Sequence, residues 1–138
     1  MKLYLDTNIW IDYLDEKREN HGKALRLFDK IQKEGHIIIV SELHIYETKV
    51  NGYYDPFEKT KNELWKKSLC KGIKVEADDK EEAKELDAVF NRGKADFLHM
   101  LTAKRQNCVA ISSDQDWEDI AKVLGMSNFT YESFFRYF

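Results

Sequence analysis

Five acidic residues stand where a parallel sheet would deliver chemistry: Asp6, Glu47, Asp96, Asp114 and Asp116. Asp6 ends the apolar run Leu3-Tyr4-Leu5, and Asp114 and Asp116 follow the run that opens at Cys108. Glu47 falls in the second turn of a helix that leaves the run at residues 36–40. Asp96 falls in the first turn of a helix that leads into the Cys108 run. A helix feeding the start of a strand ends at the bottom of the sheet, so its own first turn lies at the top. Open α/β sheets bind ligands at the carboxyl ends of their strands, and the five acids converge on that edge. Crowded carboxylates repel one another, and a divalent cation relieves the repulsion. Oxygen ligands without a matching His or Cys set favour Mg²⁺ or Mn²⁺ over Zn²⁺. Such an ion neutralises charge at a phosphodiester and acidifies water, so phosphodiester hydrolysis is the chemistry expected.

Each acid also has an ordinary structural role. Asp6 suits a helix N-cap, and Asp96 suits the positive end of a helix dipole. Glu47 alone reads as a solvated helix residue, while Asp114 and Asp116 suit a turn. Their joint placement on one edge is what favours a site.

The elements that must position them are legible in the apolar pattern. Asp6 is followed by a helix with Ile9, Trp10, Tyr13 and Leu14 at helical spacing, for which Thr7 or Asn8 is a cap. A second helix is expected over residues 21–34, closed by Gly35. Residues 36–40 read as a strand buried on both faces, and Ser41 caps the helix that carries Glu47. After a break at residues 53–56 come a lysine-rich helix over 57–69 and a short strand at 73–75. A helix from Asp78 or Asp79, a turn at residues 91–93 and a helix over 94–106 precede the strand at 108–111. A short helix from Trp117, a turn at Gly125 and a last strand near Phe129 complete the pattern. Strands alternating with helices specify a three-layer α/β/α sandwich around a mainly parallel sheet of four to five strands. Strand order stays open.

At 138 residues the chain is the size of one domain, and residues 1–138 are expected to form one. Cys70 and Cys108 have no metal-binding spacing and read as reduced thiols of a cytoplasmic protein. The start MKLYLDTN meets a carboxylate too early for a signal peptide, and no apolar stretch is long enough for a membrane span. A net charge of −3 argues against holding nucleic acid by bulk electrostatics. The charge is nonetheless segregated: residues 57–74 carry six lysines against two acids, and residues 76–87 carry seven acids against two lysines. Solvated helix faces explain both runs, although a basic surface for a polyanion stays open.

Four stretches resemble the motifs of PIN-domain nucleases. They are residues 5–14 (LDTNIWIDYL), residues 41–47 (SELHIYE), residues 95–103 (ADFLHMLTA) and residues 111–117 (ISSDQDW). The resemblance implies a Mg²⁺- or Mn²⁺-dependent endoribonuclease, similar to the toxin of VapBC toxin–antitoxin pairs. Such toxins are usually homodimers restrained by a small antitoxin. It further implies that Asp6, Glu47, Asp96 and Asp114 form the metal-binding catalytic set, with Asp116 outside it or on a second ion. Asn8 and Ser112 would orient acids or water; Ser112 stands where the family commonly has Thr. His99, one turn after Asp96, is a candidate general base, although an inward helix histidine is more often simply packed.

Two other readings compete. An aspartyl-phosphate phosphatase would use Asp6 as nucleophile, but it wants a second acid where Asn8 stands and a partnering lysine. A non-catalytic domain that binds RNA or protein would have no need of all the acids. The aromatic C-terminus, with Phe134, Phe135, Tyr137 and Phe138, offers either a dimer surface or core packing.

Overall fold

A computed structural model describes all of residues 1–138. Five strands, β1 (Lys2–Leu5), β2 (Ile37–Ser41), β3 (Cys70–Ile73), β4 (Val109–Ile111) and β5 (Asn128–Phe129), form one sheet in the order β3-β2-β1-β4-β5. All neighbouring pairs are parallel. The helices are α1 (Thr7–Leu14), α2 (His21–Glu34), α3 (Glu42–Val50), α4 (Tyr54–Lys66), α5 (Ala77–Phe90), α6 (Lys94–Arg105), α7 (Gln115–Leu124) and α8 (Tyr131–Tyr137).

Strand alternation divides the core in two. Leu3, Leu5, Ile38 and Val40 point to one face, where Trp10, Leu27, Phe28, Phe57, Tyr131 and Phe134 pack on them. Tyr4 and Ile39 point to the other face, against Phe97, Met100, Trp117 and Ile120. Side chains alternate between sheet faces with period two, so an apolar run three residues long serves both layers. That is the three-layer sandwich the pattern specifies.

The order matters for the site. Chain progression moves outward from β1 through β2 to β3, then returns to lay β4 against the opposite side of β1. Crossovers that reverse direction leave a crevice at the carboxyl ends of the two strands flanking the reversal. Here those strands are β1 and β4, in register from Leu3↔Val109 to Leu5↔Ile111. The Asp6 N–H continues the pairing by donating to the Ile111 carbonyl at 2.9 Å.

Three elements differ from expectation. Helix α4 starts at Tyr54, three residues early, because Pro56 sits in its first turn, where a missing N–H costs nothing. The third strand lies at Cys70–Ile73 and not at 73–75. It is an edge strand with Lys71 and Gly72 exposed, so burial leaves no alternating trace in the sequence. Val75 is buried by itself, and its N–H donates to Glu42 Oε1 at 2.8 Å.

Helix α8 was not expected. Thr130 and Ser133 cap it reciprocally, and Tyr131 and Phe134 are buried in the first core. Phe134 therefore needs no second chain to cover it, while Tyr137 and Phe138 remain exposed.

Part of each charge run is paired within the fold. Lys61 pairs with Glu58, and Lys67 reaches Gln32. In the acidic run Asp79 is buried and takes a two-pronged bond from Arg105, at 2.8 and 3.0 Å.

Candidate metal centre

Asp6 is the first residue past β1 and caps α1, its Oδ1 accepting from the Asn8 N–H at 3.2 Å. Its other oxygen, Oδ2, accepts from Ser112 Oγ at 2.6 Å. Ser112 is the first residue past β4, and its hydroxyl oxygen in turn accepts from the Asp114 N–H at 3.0 Å. Asp114 caps α7 through the Asp116 N–H at 2.8 Å. The capping role open to Asp6 in the sequence is thus real, Asp114 takes one in place of a mere turn role, and both coexist with convergence on one edge. Asp6 is only 7% exposed. Burial pushes its carboxyl above the ordinary range, and the Asp114 charge adds to this, against the opposing hydrogen bond from Ser112.

Glu47 enters from α3, which Ser41 caps directly at the end of β2. Its Oε1 accepts from Thr7 Oγ1 and lies against His99 Nε2, both at 2.6 Å. Burial acts to raise this carboxyl, yet the bonds from His99 and Thr7 outweigh it and hold the group below its usual range. Behind Glu47 runs a buried polar chain. His99 Nδ1 is 2.7 Å from Tyr4 Oη, which is 2.9 Å from Ser41 Oγ. One arrangement gives each proton an acceptor: Ser41 donates to Tyr4, Tyr4 to His99 Nδ1, and His99 Nε2–H to Glu47. His44 lies beside this chain, taking the Ser41 N–H on Nδ1 and donating from Nε2 to the Leu5 carbonyl at 2.6 Å. Complete burial pushes the His44 imidazole down to about 3, so it stays uncharged.

Asp96 is fixed by α6. The residue before its first turn is Gly93, whose φ of +96° disfavours a side chain. A Cβ there would stand 3.4 Å from Asp96 Oδ2, so glycine also leaves the carboxylate its room. Trp117 Nε1 donates to Asp96 Oδ1 at 3.1 Å. Burial pushes Asp96 up to about 6, with the charges of Asp114 and Asp6 adding and the Trp117 bond opposing.

Asp6, Glu47, Asp96 and Asp114 line one cleft of about 120 Å³, together with Asn8, Thr7, Ile11, Asn51 and His99. No lysine or arginine is among the lining residues. Asp116 stands at its outer edge: Asp96, Asp114 and Asp116 can each offer an oxygen within 4.8 Å of the others. Arg92 lies 3.7 Å from Asp116. This donor set fits a hard divalent cation, since it is all oxygen and two of its carboxylates are destabilised as anions, chiefly by burial and further by neighbouring carboxylates. His99 is 1% exposed with both nitrogens engaged. It orients Glu47, and the geometry does not present it as a free base.

The PIN domain family matches residues 3–123. The chain belongs to that family. Three solved structures share the fold at low sequence identity. VapC20 from Mycobacterium tuberculosis, a sarcin–ricin loop cleaving toxin, superposes with a TM-score of 0.70 at 16% identity, over 91% of this chain and 96% of that one. VapBC2 from Rickettsia felis, bound to a DNA fragment from their promoter, gives 0.63 at 16% identity, over 94% and 98%. FitAcB from Neisseria gonorrhoeae gives 0.63 at 15% identity, also over 94% and 98%. No curated protein matches the chain in sequence.

In this PIN domain several residues in and around the cleft carry little signal in the sequence. Thr7 read only as a cap, yet its hydroxyl holds Glu47. Tyr4 read as one more apolar strand residue, and only its hydroxyl, in the middle of a buried run, hinted at a polar partner. Asp12 is 6% exposed and joins Arg18 to Tyr131. Its signal was an acid on the buried side of a helix among Ile9, Trp10 and Tyr13.

Proposed function

We propose that this PIN domain is a Mg²⁺- or Mn²⁺-dependent endoribonuclease and the toxin of a toxin–antitoxin pair. The observation that carries the reading is the cleft itself: four carboxylates from four chain segments with no lysine or arginine among them. Asp6, Glu47, Asp96 and Asp114 would hold the ion, with Asp116 at the outer edge. When bound, the ion supplies positive charge to the phosphodiester and acidifies water.

The chain's own groups do the rest. Ser112 and the Asn8 N–H fix the two oxygens of Asp6, and Thr7 and His99 fix Glu47. Trp117 fixes Asp96. Carboxylates held by such bonds keep their geometry without reorganising when the ion arrives. Asn8 lines the same cleft, and its amide suits water or ribose. An aspartyl-phosphate pathway is disfavoured, because no lysine lines the cleft and Asn8 stands where a second acid would be wanted.

Several features of the setting belong to the same proposal. No helix is long and apolar enough to cross a membrane, and both cysteines are free, which suits a cytoplasmic enzyme. Solved relatives in fold include a VapBC2 assembly and FitAcB, which supports a small antitoxin partner. Exposed Tyr137 and Phe138 leave surface for a homodimer.

The test is cleavage of labelled total RNA by purified protein with Mg²⁺, with Mn²⁺ and with chelator. Metal-dependent endonucleolytic products that vanish in D96N are the expected result. Cleavage undiminished by chelator, or none with either metal, would overturn the reading.

A further inference from the structure

A second cavity of about 330 Å³ adjoins the acidic cleft and shares Asp6, Asn8 and Asp114 with it. Arg18, Asn20 and Asp12 line it as well. Arg18 is the one arginine or lysine lining either cavity.

Its position is built. Asp12, 6% exposed, takes Arg18 Nε on Oδ1 at 3.0 Å and the Tyr131 hydroxyl on Oδ2 at 2.9 Å. The Asp12 carbonyl meets His21 Nδ1 at 2.8 Å. The turn that carries Arg18 is held at its other end by Asp15, which takes the Tyr53 hydroxyl at 2.7 Å. Helices α1, α2 and α8 therefore combine to fix one side chain.

Only Nε of the guanidinium is spent on Asp12. Nη2 makes a long 3.4 Å contact to Asn8 Oδ1, and Nη1 is free for a ligand. An arginine tethered at Nε presents its two Nη groups as a fork, which suits the oxygens of a phosphate. An RNA chain whose scissile phosphate lies at the carboxylates and whose backbone continues over this adjoining cavity brings the next phosphate past Asp6 and Asp114. Arg18 is the one side-chain cation along that path that can offset the acids' repulsion.

Resting on the ribonuclease reading above, we infer that Arg18 binds a backbone phosphate of the RNA adjoining the scissile one, and that Asp12 and Tyr131 position it. The rival is a structural ion pair that stops at Asp12. A phosphate contact contributes to the salt dependence of binding, and a structural pair does not.

The experiment measures fluorescence anisotropy of a short labelled single-stranded RNA of mixed sequence, with Ca²⁺ in place of Mg²⁺ and the RNA checked intact on a gel. Wild type, R18Q and R18K are titrated at several salt concentrations. For R18Q we expect about 10-fold weaker binding and a fall of about 0.7 in the slope of log K against log salt. R18K keeps the charge but not the fork, so its slope should match wild type while its affinity falls. It also serves if R18Q does not fold. R18Q with unchanged affinity and slope overturns the inference, as does R18K indistinguishable from wild type where R18Q is unfolded. RNA that wild type does not bind at all overturns the ribonuclease reading instead, and this inference with it.

Discussion

His99 Nε2 lies 2.6 Å from Glu47 Oε1, and the same imidazole takes the Tyr4 hydroxyl on Nδ1 at 2.7 Å. A ring that looks in sequence like a general base is thus a strut between a core tyrosine and a cleft carboxylate. Removing it in His99→Ala leaves Glu47 held by Thr7 alone and takes one of two partners from the buried Tyr4 hydroxyl. Loss of a residue that orients a metal ligand typically lowers metal affinity by about 10–100-fold, and a buried hydroxyl deprived of a partner costs up to about 1–3 kcal/mol. His99→Gln returns a donor toward Glu47 and should recover part of the affinity. Mn²⁺ titration followed calorimetrically, together with thermal melts, checks both effects. Unchanged Mn²⁺ affinity in His99→Ala would show that the strut has no bearing on the cleft.

Ser112 joins two acids with one hydroxyl, donating to Asp6 Oδ2 and accepting from the Asp114 N–H. It is fully buried. Ser112→Ala strands a buried carboxylate oxygen and a backbone N–H together, a loss of about 1–3 kcal/mol. Ser112→Thr keeps the hydroxyl and should sit close to wild type in cleavage rate, with any deficit confined to fit of the added methyl. Denaturant melts and cleavage assays on the pair distinguish the hydroxyl from the packing. Equal behaviour of Ala and Thr variants would mean that the hydroxyl is idle.

Asp6 and Asp114 were findable because apolar runs stop abruptly at one and just before the other, and Glu47 and Asp96 because their helices leave or feed such runs. Strand order was not legible, since the return of β4 to the β1 edge is a tertiary choice that leaves no periodic mark. The residues that hold the acids were harder still. Thr7, Tyr4 and Trp117 each fit a local role as cap, strand residue or helix start, and only contacts across long sequence separations give them a second one. The edge strand β3 and helix α8 were misplaced for related reasons. The former is half solvated, and the latter packs aromatics that read equally well as an interface.

Asp96 gives the site a pH signature. Its carboxyl is raised from 3.8 to about 6, chiefly by burial. Between these values the folded state binds more protons than the unfolded state, so stability without metal should fall as pH rises through that window. The penalty is absent below it and fully present above it. Asp96→Asn removes the penalty while keeping an acceptor for Trp117 Nε1. In chelator the variant should therefore melt above wild type at neutral pH, and the gap should close toward pH 4. Metal must displace the Asp96 proton, so wild-type affinity for Mn²⁺ should weaken below about pH 6. Melts across pH in chelator test the first statement. A gap that is constant with pH would trace the difference to packing and not to charge.

Metal and stability should be linked through the same cleft. Mn²⁺ binding only the folded arrangement raises stability by RT ln(1 + [L]/Kd), about 1.4 to 2.7 kcal/mol for ion at roughly 10 to 100 times Kd. Asp96→Asn should forfeit most of that gain together with RNA cleavage, while starting from an apo protein no less stable than wild type. Asp6→Asn should behave differently, because Asp6 does two jobs. The amide it introduces, if turned toward Ser112, would donate to a hydroxyl oxygen that already accepts from Asp114, leaving the Ser112 proton without its acceptor. That variant should lose the metal response and also some apo stability. The measurement is thermal melting of the three proteins in chelator and in Mn²⁺. A wild type that gains nothing from Mn²⁺, alongside an Asp96→Asn that melts lower without it, would make these carboxylates structural and sink the metal centre.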